Sequence, residues 1–125
     1  MNNRETNLKK MQFIVGEPNI KFKEAFPEVE DIDVLCVEEG PNVSQFTNKS
    51  EFDSKNLKFR PFKCSNKSCK NGGFDIGKVV REMIRNREKN KETFVGCSGS
   101  EYTRGREIRG CRNLLRIKVD MKYNS

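Results

Sequence analysis

The chain has no histidine and no tryptophan, and only two tyrosines, in 125 residues. Without an imidazole, Ser-His-Asp and Cys-His nucleophilic catalysis are excluded, as is any mixed Cys/His metal site. An enzyme would have to work with carboxylate pairs such as Asp31/Asp33 or Glu38/Glu39. Neighbouring acids of this kind are ordinarily surface residues, so no residue is assigned a catalytic role and a non-enzymatic protein is expected. Long apolar runs are also missing. None approaches the ~20 residues that span a bilayer, and the segment MNNRETNLKKMQFIV lacks the apolar core of about 7–15 residues found in a signal peptide. The expectation is a cytoplasmic protein with no membrane partner.

What is present suffices for one fold. Leu, Ile, Val and Phe account for 30 of 125 residues, above the level of about 20% below which charged chains stay disordered. The length fits a single domain. Residues 1–12 are polar and basic and read as a flexible arm, leaving 13–125 as the domain, with an N-terminal strand and loop part (13–56) and a cysteine-bearing part (57–125).

In VEDIDVLCVE (29–38), Ile32, Val34 and Cys36 alternate with polar neighbours, the pattern of a strand. Weak helical spacing precedes it, up to Pro27. The Gly-Pro break at 40–41 opens a polar stretch that reads as a loop over 39–56, with Phe46 and Phe52 as its anchors. Residues 57–63 read as an extended edge segment. Asp75 is placed to cap a helix over about 76–90, in which Ile76, Val79, Val80, Met83 and Ile84 share a face. Residues 93–95 predict a short strand and 98–110 a Gly- and Arg-containing loop. In 115–123, Leu115, Ile117, Val119, Met121 and Tyr123 alternate with polar residues, which predicts a long strand with one wet face.

Five cysteines, an odd number in a chain with no export signal, argue against a disulfide framework. Four of them are spaced C-x4-C, 27 residues, C-x13-C. Four thiolates close a tetrahedral site around Zn²⁺ and leave no position for substrate, so such a site is structural. Cys64, Cys69, Cys97 and Cys111 are the candidate ligands. Scattered thiols and an iron–sulfur cluster stand as the alternatives. Cys36, on an apolar strand face with acids beside it, reads as a small buried hydrophobe.

With its paired cysteines, flanking strands and Gly-Gly turn, segment 59–123 resembles a zinc ribbon, with a helix inserted between the two ligand pairs. The stretch from Cys64 through Cys69 to GGFD is also similar to bacterial proteins that carry C-x4-C followed by that tetrapeptide, a likeness that implies no activity. The resulting expectation is an α+β fold: a small, mostly antiparallel sheet, one main helix and a zinc-ribbon-like C-terminal half.

Charge is divided unevenly. Residues 1–63 carry 10 Lys/Arg against 11 Asp/Glu, and residues 64–125 carry 15 against 7. Arg104, Arg106, Arg109 and Arg112 with Tyr102, together with Lys78, Arg81 and Arg85 on the helix, form a candidate nucleic-acid surface in which guanidinium groups meet phosphate. The interspersed glutamates favour the alternative of a solvated or protein-facing surface. A protein partner is the second expectation, and no small-molecule substrate is expected.

Overall fold

The computed structural model describes residues 3–17, 19–41, 49–59 and 62–124. The chain opens with helix α1 (Asn3–Ile14), where the sequence suggested an arm up to residue 12. This stretch contains no glycine or proline and has an acid, Glu5, in its first turn, where the helix dipole favours negative charge. The amphipathic signal is weak because essentially one residue anchors the helix. Phe13 is 1% exposed and lies edge-on to the rings of Phe22, Phe26 and Phe59 at 5.8, 6.1 and 4.8 Å. Gly16 ends the helix in the left-handed region (φ 90°). Its N–H reaches the carbonyl of Phe13 and that of Glu17 reaches Gln12, the paired bonds of a Schellman stop. The four-residue helix α2 (Phe22–Ala25) follows and buries Phe22 and Ala25.

Strand β1 (Val29–Glu39) is central to a four-stranded antiparallel sheet. Its partners are β2 (Lys49–Asp53) on one side and β7 (Leu114–Tyr123) on the other, and β7 pairs in turn with β4 (Asn90–Gly96). Part of the expected 39–56 loop is therefore strand β2, with Phe52 packed at the core margin. Phe46 lies outside the described residues. The 57–63 segment forms no ladder among the described residues. Leu57 is buried, and Phe62 exchanges two backbone hydrogen bonds with Phe74, both 2.9 Å.

Helix α3 (Ile76–Arg85) starts as expected, with the Asp75 side chain accepting the Lys78 N–H at 3.0 Å, and it buries Ile76, Val79, Val80, Met83 and Ile84. It stops five residues short of the expected end. Arg87 turns left-handed (φ 54°), and the Arg87 and Glu88 N–H groups close on the carbonyls of Ile84 and Met83. The chain can then reverse into β4. The Arg87 guanidinium lies 4.6 Å from the centre of the Tyr123 ring, and the Tyr123 hydroxyl bonds the carbonyls of Met83 and Glu88, tying helix end to strand end.

The core gathers the inward faces of β1 and β7, the apolar stripe of α3 and the phenylalanine cluster around Phe13. Cys36 is inside it, fully buried. A second, three-stranded sheet, β3 (Cys69–Lys70), β5 (Ser100–Thr103) and β6 (Arg106–Gly110), occupies the stretch read as a loop over 98–110. The β5–β6 hairpin is an insertion between β4 and β7. Gly96 pairs with Leu114, so the chain leaves and re-enters the large sheet at adjacent points. Among the described residues no helix is long and apolar enough to cross a membrane.

Candidate metal centre and basic hairpin

Three features of the fold bring the four cysteines together. The turn before β3 begins at Cys64 and delivers Cys69 as the first residue of β3, and the two ends of the β5–β6 insertion carry Cys97 and Cys111. Their four sulfurs lie within 4.8 Å of one another, with Cys64 to Cys111 and Cys69 to Cys97 both at 3.6 Å. Sulfurs placed tetrahedrally about 2.3 Å from one zinc ion are about 3.8 Å apart. The spacing matches that geometry, and all five cysteines are free thiols. Cys36 stays apart in the core.

The surroundings are built to sulfur. A Cβ on Gly99 would come within 2.5 Å of both the Cys69 sulfur and the Gly72 Cα, and one on Gly72 would overlap the sulfurs of Cys69 and Cys97. The Gly-Gly turn and Gly99 thus let backbone close over the sulfurs. Having closed, backbone donates to them: the N–H groups of Gly73 and Gly99 each reach the Cys97 sulfur at 3.4 Å. The Asn66 amide donates to the Cys111 sulfur at 3.5 Å. Such donors favour the thiolate, which is the form that binds metal.

Burial opposes them. It pushes the Cys69 thiol up to about 12 and raises Cys64 as well, while at Cys111 the Asn113 backbone N–H and the Asn66 amide outweigh burial and hold the thiol below its ordinary value. A bound divalent metal would displace the protons that burial holds on Cys64 and Cys69. The donor set, spacing and cradle fit a zinc ion.

The arginines fall into two classes. Glu101, 4% exposed, accepts the Arg112 backbone N–H at 3.1 Å and its Nε at 3.3 Å, with Arg109 Nε 4.0 Å from the other oxygen. Burial would raise the Glu101 carboxyl, but the Arg112 backbone and guanidinium, with Arg109, bring it below its usual range. Arg109 and Arg112 thus brace the hairpin. Arg104, in the turn with φ 53°, and Arg106, on the wholly exposed β6, have no ion-pair partner among the described residues. Tyr102 is half-buried beneath the Lys70 ammonium, 5.1 Å from its ring centre. On the helix, Lys78 and Arg85 are exposed, whereas Arg81 lies over the Phe59 ring at 5.7 Å. No described contact joins the helix set to the hairpin set.

Sequence reasoning passed over the residues around the sulfurs. Of the carboxylates considered for chemistry, Asp31 and Asp33 are exposed and Glu39 pairs with Arg116 at 3.2 Å, but Glu38 is 2% exposed and turns in toward the cysteines. Its place on the apolar phase of β1, in step with Ile32, Val34 and Cys36, was the available signal. Asn66, Glu101 and Asn113 carried none, because turn-rich sequence has no period from which burial can be read.

Comparison with known proteins returned no match to a family model, to a curated protein or to a solved structure.

Proposed function

We propose that this chain is a small zinc-stabilised, non-enzymatic binding module, ribbon-like around its metal, that contacts nucleic-acid phosphate through the β5–β6 hairpin. The observation that carries the reading is the hairpin itself. Four convergent cysteines hold a projection whose tip guanidiniums, Arg104 and Arg106, have no protein partner among the described residues. Unpaired arginines on a rigid support suit phosphate, where the guanidinium fork bonds two oxygens at once. Arg109 and Arg112 are half-neutralised by Glu101 and contribute less.

The test has two parts. Elemental analysis of protein made in zinc-replete medium should give about one zinc per chain, and a metal-free preparation overturns the metal reading. Affinity for single- and double-stranded oligonucleotides should fall steeply between about 50 and 200 mM salt, and R104E/R106E should lower both affinity and salt slope. Unchanged binding by that double variant removes nucleic acid as the hairpin's partner.

A second reading, a protein-interaction module with a purely structural zinc, is favoured by the uncovered face of the large sheet. Half-buried Leu35 and Val37 share that face with exposed Phe94 and Leu114, and it contains a hollow of about 290 Å³ lined by Asp33, Leu35, Glu51, Phe52 and Lys118 among others. The face also carries Asp31, Asp33, Glu39, Glu51, Asp53, Glu92 and Asp120 against Lys49, Arg116, Lys118 and Lys122, an acidic excess that disfavours phosphate.

A further inference from the structure

Among the described residues four polar or charged side chains are buried, Glu38, Asn66, Glu101 and Asn113, and all four surround one half of the cysteine cluster. Glu38 reaches from the end of β1 and accepts the N–H of Ser65, the residue after Cys64, at 3.1 Å. It also accepts the Asn113 amide at 2.6 Å, and one of its oxygens lies 3.7 Å from the Cys64 sulfur. Glu101 does the corresponding thing from β5, accepting the N–H of Arg112, the residue after Cys111. Asn66 donates directly to the Cys111 sulfur. The Cys69 and Cys97 half is arranged differently, with glycine backbone as its donors.

We propose that Glu38 and Glu101 are positioning residues for the metal: each fixes the peptide that follows a ligand cysteine, and together they set the Cys64–Cys111 sulfur pair at its ligating separation before an ion arrives. The inference rests on the metal reading above. Burying a carboxylate is costly unless its oxygens are bonded, and here each is bonded by groups whose placement sets a sulfur. Two such acids on separate elements, converging on the same sulfur pair, are not needed to complete the apolar core. The β1 and β5 scaffolds are thereby coupled to the site, one from the large sheet and one from the small.

In both acids Oε2 receives two donors, Ser65 and Asn113 at Glu38 and the two Arg112 nitrogens at Glu101, and at Glu38 the Ser65 N–H is shared equally with Oε1. A glutamine whose carbonyl oxygen occupies that place keeps both Oε2 bonds, giving up at position 38 only the Ser65 share on Oε1, and an alanine keeps none. The experiment compares the full chain with E38A, E38Q, E101A and E101Q. It measures zinc affinity by competition with a chromogenic chelator, and the thiolate-to-metal and ligand-field absorption bands after substitution with cobalt(II).

The expected result is that each alanine variant loses about 10- to 100-fold in zinc affinity and shifts the cobalt ligand-field bands, while each glutamine variant recovers most of the loss. If the alanine variants do not fold, Glu38→Asp and Glu101→Asp take their place. These keep the charge but withdraw the oxygens by one methylene, and they too should weaken zinc. Wild-type affinity and spectrum in the alanine or aspartate variants overturns the proposal, even if thermal stability falls. A wild-type chain that takes up neither zinc nor cobalt overturns instead the metal reading on which the proposal stands.

Discussion

A glycine and a cysteine give the sharpest tests at the level of single residues. Gly99 has no room for a methyl group, because the Cys69 sulfur and the Gly72 backbone both lie 2.5 Å from where a Cβ would sit. Backbone on two sides leaves nothing flexible to yield. Gly99→Ala should therefore separate the sulfurs and reduce bound zinc well below one per chain by elemental analysis, although alanine is otherwise the mildest replacement. Cys36 is the opposite case, a thiol with no ligating neighbour whose burial raises its pKa from 9 to about 12. Between those values the unfolded chain has released the proton that the folded chain retains, so stability is complete below about pH 9 and falls as pH rises toward 12, by about 1.4 kcal/mol per unit. In the zinc-loaded protein, Cys36→Ala should flatten that alkaline loss in denaturant titrations and leave zinc content unchanged. A drop in zinc would place Cys36 in the metal site.

The two sheets depend on different forces. The large sheet packs Ile32, Val34, Leu115, Ile117 and Val119 against α3 and its neighbours, so it carries the hydrophobic core. The β5–β6 hairpin buries no apolar side chain. Its inward residue is Glu101, and β6 is exposed throughout. An element without apolar burial needs another source of order, and a metal held by the four cysteines would supply it. Chelation should consequently open the small sheet while the large one persists. Hydrogen exchange should rise steeply over 98–112 and little in β1 and β7. Uniform loss of protection would mean that the metal holds the whole domain and that the core cannot stand without it.

Across the whole molecule, charge is distributed unevenly. The uncovered sheet face has Asp33, Asp53 and Asp120 opposite one another on adjacent strands, whereas the hairpin tip offers unpaired arginines. On the proposed reading, a polyanion meeting this field would be directed to the hairpin and away from the sheet. Lys118, in the middle of that face and opposite Glu92, gives the control. Lys118→Ala should leave oligonucleotide affinity and salt slope near wild type, although it removes one positive charge just as a change at Arg104 does. An equal effect from the two positions would show that binding follows net charge alone and not the hairpin.

Periodic signals could be read directly from the sequence. Alternation placed β1 and β7 almost to the residue, and the i, i+3, i+4 stripe with Asp75 as cap placed the start and buried face of α3. The four cysteines were separable from Cys36 because only they flank turns. Long-range placement could not be read this way. Helix α1 exists because Phe13 meets Phe22, Phe26 and Phe59, rings brought together only by the folded chain. β2 and the β5–β6 hairpin are stabilised by pairing partners rather than by any apolar period of their own. The same holds around the metal centre. The ligands announce themselves by residue type and spacing, but Glu38, Asn66, Glu101 and Asn113 become a shell only when four separate segments converge. Composition and period fix what a residue can do locally, whereas burial of a polar group is decided by which distant groups arrive to satisfy it.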